Sequence, residues 1–373
     1  MPIKILQTSD IHLGAKLAYL GEKADLQRKT ILKTFINVTD LALAKEVDIF
    51  LLAGDLFDSI YPSRMLVAES LEQISRLIEA GIYVAMIPGN HDRLELGSVY
   101  SKPEFSNYHA DNFKLFREDQ VEKWYLAKLD TTIHGVAVKS QKEKRTQLHG
   151  FQRNPDSKYN IGLIHGSLDL LGQPDNFPIV RAEIEQLEFN YLAIGDWHSL
   201  LDSKCQKTPA WYSGSPEILA INQENAGHVL LITMDETTKV EPVFVAQRKI
   251  RRLELDLNKY HSVQEIKNDL AAYRNPDTFF NLELKGLKAV NFDGSLEELA
   301  MLLDNYFFYL NISDKTELKL SEEELAIYPD DLLTGRYIRL LQEKKLKGEI
   351  DPHLADEAIQ LGVNLLEGEN VYL

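Results

Sequence analysis

The sequence predicts an α/β protein: a layered sheet domain over residues 1–250, a smaller α+β domain over 251–325 and a helical segment over 326–373. Two observations predict it. Over the first 250 residues, short apolar runs rich in Ile, Val, Phe and Tyr alternate with stretches of helical periodicity, the mark of a sheet layered with helices. After about residue 247 the order changes to a strand-like run, a helix, a strand and a helix, and two short amphipathic helices close the chain. At roughly 100–200 residues per domain, 373 residues are enough for about two domains.

Taken in order, Ile3–Gln7, Ile49–Ala53, Tyr83–Ile87, Ile161–Ile164 and Tyr191–Ile194 read as buried strands, each four or five residues long. Residues 26–45 and 64–79 carry apolar side chains at helical spacing, and Gly81 ends the second helix. His228–Asp235, with Val229 to Ile232 at its centre, reads as a late strand. Beyond it, residues 247–255 are strand-like, 263–273 helical, 278–285 a strand and 296–306 helical. Residues 333–347 and 353–361 read as the two terminal helices.

Each strand of the first domain runs straight into residues that ligate metals. After the first comes Asp10-Ile11-His12, and after the second Gly54-Asp55-Leu56-Phe57-Asp58. After the third comes Gly89-Asn90-His91-Asp92; after the later two come His165-Gly166 and Gly195-Asp196-Trp197-His198. In open α/β sheets, ligands gather outside the carboxyl ends of the strands, so five such clusters should converge on one site. Singly, D-x-H or G-D-x-x-D is ordinary turn chemistry. Their order and strand context make them a site. Carboxylates, imidazoles and an Asn carbonyl without thiolate suit Mn²⁺, Fe²⁺, Mg²⁺ or Zn²⁺.

This constellation resembles the calcineurin-like metallophosphoesterase superfamily. Its spelling, T-S-D-I-H-L-G at 8–14, A-G-D-L-F-D at 53–58 and P-G-N-H-D at 88–92, is similar to the SbcD branch of DNA repair exonucleases. Tyr212-Ser213-Gly214-Ser215 is similar to the Y-S-G-S segment that follows the last metal motif in that branch. The resemblance covers about residues 3–220; beyond 250 it rests on domain order alone. It implies a four-layer αββα sandwich with a small α+β cap domain and short C-terminal helices.

It also implies two divalent ions, manganese in the first place and magnesium as the alternative. Asp10, His12 and His198 would hold one, Asp55 would bridge, and Asn90, His165 and Asp196 would hold the other. Asp196 is the departure, since the superfamily has a histidine there. A carboxylate can ligate the same ion and favours a hard cation; the alternative is that it turns away. Two ions about 3.5–4 Å apart activate water and hold both attacking and leaving oxygens of an in-line displacement at phosphorus. His91 would be the acid that serves the leaving oxygen, and Asp92 would orient it.

The resemblance further implies DNA as substrate, 3′-to-5′ exonuclease and single-strand endonuclease action, an SbcC-like coiled-coil ATPase as partner, and a homodimer. The chain has no G-x-x-x-x-G-K-[ST] motif, so ATP would be handled by that partner. Leu333, Tyr337, Leu340 and Leu341 form an apolar helical face, equally suited to docking a partner or to packing within the chain. Two other readings stand beside this one: a phosphodiesterase or phosphatase for small molecules or phosphoproteins, and a catalytically silent DNA-binding scaffold.

The overall composition, 44% hydrophobic and 26% charged, excludes a disordered chain. No apolar run reaches a membrane span, the polar Thr8-Ser9-Asp10 comes too early for a signal peptide, and the single Cys205 fits a reducing cytoplasm. A formal charge of −16 argues at first against nucleic acid. Residues 251–373 hold 14 basic and 24 acidic groups, or −10, which leaves −6 for the first 250. The most basic stretch, with Lys139, Lys142, Lys144, Arg145 and Arg153, is therefore the expected contact with a DNA backbone, though a solvated loop explains it as well.

Overall fold

The computed structural model describes residues 2–169, 177–288, 292–318 and 320–366. The chain folds as two compact units, residues 1–249 and 250–373.

The first unit opens with β1 (Ile3–Thr8), α1 (Ala24–Ala44), β2 (Ile49–Ala53), α2 (Arg64–Glu79), β3 (Tyr83–Ile87), a short α3 (Pro103–Ser106) and β4 (Phe113–Leu115). It continues with β5 (Glu122–Leu126), β6 (Thr131–Gly135), β7 (Tyr159–His165), α4 (Arg181–Leu187), β8 (Tyr191–Gly195), β9 (Leu201–Asp202), β10 (Ala210–Tyr212), β11 (His228–Met234) and β12 (Thr238–Phe244). Two six-stranded sheets result, ordered β12-β11-β1-β2-β3-β4 and β5-β6-β7-β8-β10-β9. β1 to β4 run parallel, as do β6, β7, β8 and β10, so the strands that carry the motifs end at one edge of each sheet.

Strand alternation explains the layering. Ile5, Ile49, Leu51, Ala85 and Ile232 of the first sheet meet Ile133, Ile161, Leu163 and Ala193 of the second in one buried cluster. Each Ile or Leu among them contributes about 1.5–3 kcal/mol. The residues between them, Leu6, Phe50, Leu52, Val84 and Met86, point the other way and are buried as well. That is why these strands read as continuous apolar runs. On that outer side α2 packs on β3 and on α1, and Ser63 caps its first turn by accepting from Leu66 N. On the far side of the second sheet, Ile184 and Leu187 of α4 cluster with Ile164, Leu192, Ile194 and Tyr212. The order is helix, sheet, sheet, helix, the expected four layers.

β6 gave no strand signal because its Thr-Thr-Ile-His-Gly is polar, yet all five residues are buried in the middle of a sheet.

The second unit contains β13 (Lys249–Asp256), α5 (Val263–Leu270), β14 (Asn275–Lys285), β15 (Leu287–Lys288), α6 (Leu296–Leu303), β16 (Phe307–Asp314), β17 (Glu317–Leu318) and α7 (Glu322–Ala326). It ends with α8 (Leu333–Leu346) and α9 (Pro352–Leu366). β13, β14 and β16 form a three-stranded sheet, and α5 and α6 bury Ile266, Leu270, Leu299 and Leu303 with Phe280 and Phe307. The helix expected over 296–306 stops at Leu303, and β16, unforeseen, follows at once. α8 and α9 close on Ile338, Ile359 and Val363 with Leu341 against them, which leaves Leu333 and Leu340 exposed. No helix among the described residues is long and apolar enough to cross a membrane.

Candidate metal centre

Five strand ends build the site. Past β1 and β2 the backbone turns sharply: Asp10, His12 and Asp55 all have positive φ near 53°, a costly region for non-glycine residues. Asp10 N donates to Gly54 O at 3.1 Å and His12 N to Asp55 O at 3.0 Å, which locks the two loops side by side. Gly89 follows from the same crowding, because a Cβ there would collide with the Asp55 carboxylate.

Around this frame the side chains converge, and two of the groups they form share Asp10, with Asp55 within reach of both. In the first, ligand atoms of Asp10, His12 and His198 come within 4.8 Å of one another; in the second, those of Asp10, Asp55 and His165 do. Asp55 Oδ2 lies 3.5 Å from both His12 Nε2 and His165 Nε2, midway between the groups. Asn90 Oδ1 is 2.9 Å from His165 Nε2, and Asp196 Oδ1 is 3.9 Å from it, so both oxygens face the second group. The Asp196 amide donates to Asp10 Oδ1 at 3.0 Å.

The donor set fits divalent cations. His12 Nε2 and His198 Nε2 stand 3.1 Å apart and facing, the separation of two donors each roughly 2.1 Å from one ion. Burial pushes the Asp55 carboxyl well above its ordinary range, with Asp92 and Asp10 adding to the rise and His165 opposing it. Burial works against a charge on His165, yet Asp55, Asp10 and Asp196 carry it up to about 9. His12 and His198 go the other way, to about 4, chiefly through burial. Carboxylates packed this tightly borrow protons that a cation would replace.

His91 stands at the mouth, its side chain 44% exposed. Its amide donates to Asp55 Oδ1 at 2.9 Å, and its ring meets that of His12 edge-on at 4.7 Å. The expected orienting contact from Asp92 is corrected by the structure. Asp92 is fully buried, and its oxygens accept from Gly89 N (2.7 Å), Phe57 N (3.1 Å) and Tyr100 Oη (2.6 Å). It is committed to holding the loop together. The carboxylate beside His91 is Asp58, whose Oδ1 lies 3.6 Å from His91 Nδ1 and 3.0 Å from His12 Nδ1. Burial opposes its charge, but the His12 hydrogen bond holds its pKa below the ordinary value.

The basic stretch divides. Lys139, Lys142, Lys144 and Arg145 follow β6 at the edge where the ligands lie, and Glu143 O accepts from Phe177 N in the segment just past His165. Lys139 pairs with Glu118 at 3.0 Å, and Arg145 donates to Asp119 O. Arg153 is misplaced for the expected role. It donates to Glu188 O at 2.8 Å and Lys158 O at 3.1 Å, at the amino ends of β8 and β7, the far edge of the sheet from His165.

Two supporting groups are not among the residues the sequence singles out. Gln223 Nε2 meets His198 Nδ1 at 2.8 Å from a loop 25 residues on, and Ser9 donates to Asp10 Oδ2 at 2.6 Å while touching Ser213. Ser9 and Ser213 lie in marked segments, T-S-D-I-H-L-G at 8–14 and Tyr212-Ser213-Gly214-Ser215, whereas Gln223 does not.

The chain is similar to several curated proteins. The chain is 26% identical to a DNA double-strand break repair protein Mre11 of Methanopyrus kandleri over 67% of its length, spanning 58% of that protein. It is 23% identical to an Mre11 of Sulfurisphaera tokodaii, covering 87% of this chain and 84% of the relative. An uncharacterized metallophosphoesterase YhaO of Bacillus subtilis is 26% identical, over 59% of this chain and 55% of the relative. The model of the calcineurin-like phosphoesterases matches residues 3–199, more than half of the chain and all five ligand clusters, and the chain belongs to that family.

Proposed function

We propose that this calcineurin-like phosphoesterase is a DNA phosphodiesterase of the SbcD and Mre11 type, with 3′-to-5′ exonuclease and single-strand endonuclease action. The observation that carries the reading is an exposed imidazole, His91, at the mouth of a buried ligand cluster in which Asp55 Oδ2 stands 3.5 Å from both His12 and His165. When bound, two divalent cations supply Lewis acidity at phosphorus and lower the pKa of water. Asp10, His12, Asp55 and His198 would hold one, and Asp55, Asn90, His165 and Asp196 the other. With mostly oxygen donors in the second group, manganese is the proposed metal and magnesium the alternative.

The remaining work falls to the chain. His91 gives a proton to the leaving oxygen while its Nδ1 faces Asp58 Oδ1 at 3.6 Å. Backbone bonds from His91 N and Asp196 N fix Asp55 and Asp10 so that they do not swing away.

DNA as substrate is supported by the relatives named for double-strand break repair and by the cations at 139–145 on the edge where the ligands lie. Residues 1–250 would then be the nuclease domain and 251–325 the cap. Residues 326–373, with Leu333 and Leu340 exposed on α8, would dock an SbcC-like coiled-coil ATPase, and the nuclease would work as a homodimer. Linear and single-stranded DNA are assayed beside a chromogenic phosphodiester with Mn²⁺. Cleavage of DNA that is lost on chelation supports the reading. Hydrolysis of the small ester alone would favour a small-molecule phosphodiesterase, and no hydrolysis of either a scaffold.

A further inference from the structure

Four side chains form one hydrogen-bonded row, and its direction is fixed at both ends. At one end the Asp58 carboxylate only accepts, so His12 Nδ1 donates to it at 3.0 Å and His12 Nε2 carries a lone pair. At the other end, Gln223 Oε1 is taken by two backbone donors, Leu219 N at 2.9 Å and Ala220 N at 3.1 Å. Its Nε2, a donor, therefore faces His198 Nδ1 at 2.8 Å. Turning the amide over would set its NH₂ against those two N–H groups.

The loop that presents them is braced. Gln27 Nε2 donates to Ile218 O at 2.7 Å, Tyr19 Oη to Leu219 O at 2.7 Å, and Ser215 N to His198 O at 3.0 Å. With Nδ1 accepting, a neutral His198 carries its proton on Nε2. It points that proton at His12 Nε2, 3.1 Å away, where a single proton is required.

We propose that Gln223 is a positioning residue that holds His198 in the form unable to ligate through Nε2, and so sets the affinity of the first cation group. His12 is ready to bind; His198 is not. For His198 to ligate, one proton must leave Nε2 and one must be taken up at Nδ1. The ring stays neutral, and the Gln223 amide must give way. Groups that fix the ring nitrogen of a ligand commonly change affinity 10–100-fold. The inference rests on the metal-centre reading but not on DNA as substrate.

The decisive substitution is Gln223→Glu. A carboxylate can accept from Leu219 N and Ala220 N with one oxygen and from His198 Nδ1–H with the other, which frees Nε2 for the cation. In the cation-free proteins, long-range ¹H–¹⁵N correlation should find His198 protonated at Nε2 in the wild type and at Nδ1 in Gln223→Glu. Calorimetric Mn²⁺ titration should then give about tenfold tighter binding in the variant. Gln223→Met removes the donor without adding charge. It should tighten binding several-fold, which separates the hydrogen bond from the charge of the glutamate.

A wild-type His198 protonated at Nδ1, or unchanged Mn²⁺ affinity in both variants, overturns the inference and leaves the metal centre standing. No Mn²⁺ binding by any of the three proteins removes the metal-centre reading, and the inference with it.

Discussion

The two ends of the same strands hold two kinds of buried polar cluster. Toward the amino ends of β7 and β8, His134 Nε2 of β6 donates to Asn160 Oδ1 at 2.9 Å, and that oxygen also accepts from Asn154 N. The Asn160 amide donates to Asn154 O, and its backbone N–H is taken by Asn190 Oδ1. Nearly every donor there has its acceptor and no net charge is stored. At the carboxyl ends, Asp10, Asp55 and His165 are buried equally deep, yet carboxylates face carboxylates and Nε2 faces Nε2. A polar cluster that satisfies itself is a structural part; one that leaves like charges facing is made to be completed by something else.

The largest effect expected from that contrast comes from Asp55→Asn. Cleavage should fall by on the order of 10³-fold or more, because the shared oxygen is lost from both halves. In chelator, by contrast, thermal unfolding should show the variant more stable than the wild type, by about 1–3 kcal/mol, since a buried carboxyl crowded by Asp92 and Asp10 gives way to a group that never ionises. A variant destabilised without metal would mean that the carboxyl-end cluster is also self-sufficient, and the contrast would collapse. Next in size is His91→Asn, expected to lower cleavage by about 10²–10⁴-fold. His91 stands outside the proposed ligand set, so on that proposal calorimetric Mn²⁺ affinity should change less than about threefold. A parallel loss of affinity would make His91 a ligand.

The amino-end cluster makes the opposite kind of prediction, one of stability and pH. Burial lowers the His134 pKa to about 4, against an ordinary 6.5, and its Nδ1 has no partner that would welcome a proton. Below about 6.5 the unfolded chain binds a proton there that the folded chain refuses, so stability falls as the pH drops toward about 4. The total is roughly 3 kcal/mol, fully present above 6.5. His134→Gln keeps a donor for Asn160 and removes the titration. Urea unfolding of both proteins at pH 7 and pH 5 should therefore give a shallower loss for the variant. Equal slopes would show that His134 accepts its proton inside the fold.

The same contrast explains what could be read from the sequence. The carboxyl ends were legible because each ligand follows an apolar strand directly, so that Asp10, Asp55, Asn90, His165 and His198 are marked by their neighbours in the chain. The amino-end cluster was not, since His134 sits inside a polar-looking strand, Asn160 is one polar residue at the start of β7, and Asn154 and Asn190 come from loops that mean nothing singly. Gln223 was hidden for a related reason: its partner lies 25 residues away, and a glutamine in a loop has no pattern. Asp92 was misread because the residue after His91 looks like its partner, whereas the backbone turn carries it down to Gly89 N and Tyr100. Adjacency in sequence predicted the loops, and only the fold decided which side chains met.

The smallest expected effect tests where substrate lies. Lys142, Lys144 and Arg145 follow β6 at the edge where β7 and β8 deliver their ligands, whereas Arg153 is spent on Glu188 O and Lys158 O at the other. If DNA follows the metal edge, reversing Lys142, Lys144 and Arg145 to Glu should weaken DNA binding several-fold. It should also flatten the salt dependence by about 0.9 in log–log slope for each phosphate no longer neutralised. Arg153→Glu should leave affinity and slope alone while costing about 1–2 kcal/mol of stability from its two carbonyl bonds. Fluorescence anisotropy across a salt series reads both affinity and slope at once. An Arg153 variant that binds DNA poorly while folded would move the nucleic acid to the amino-end edge. The two ends would then differ in chemistry but not in what they touch.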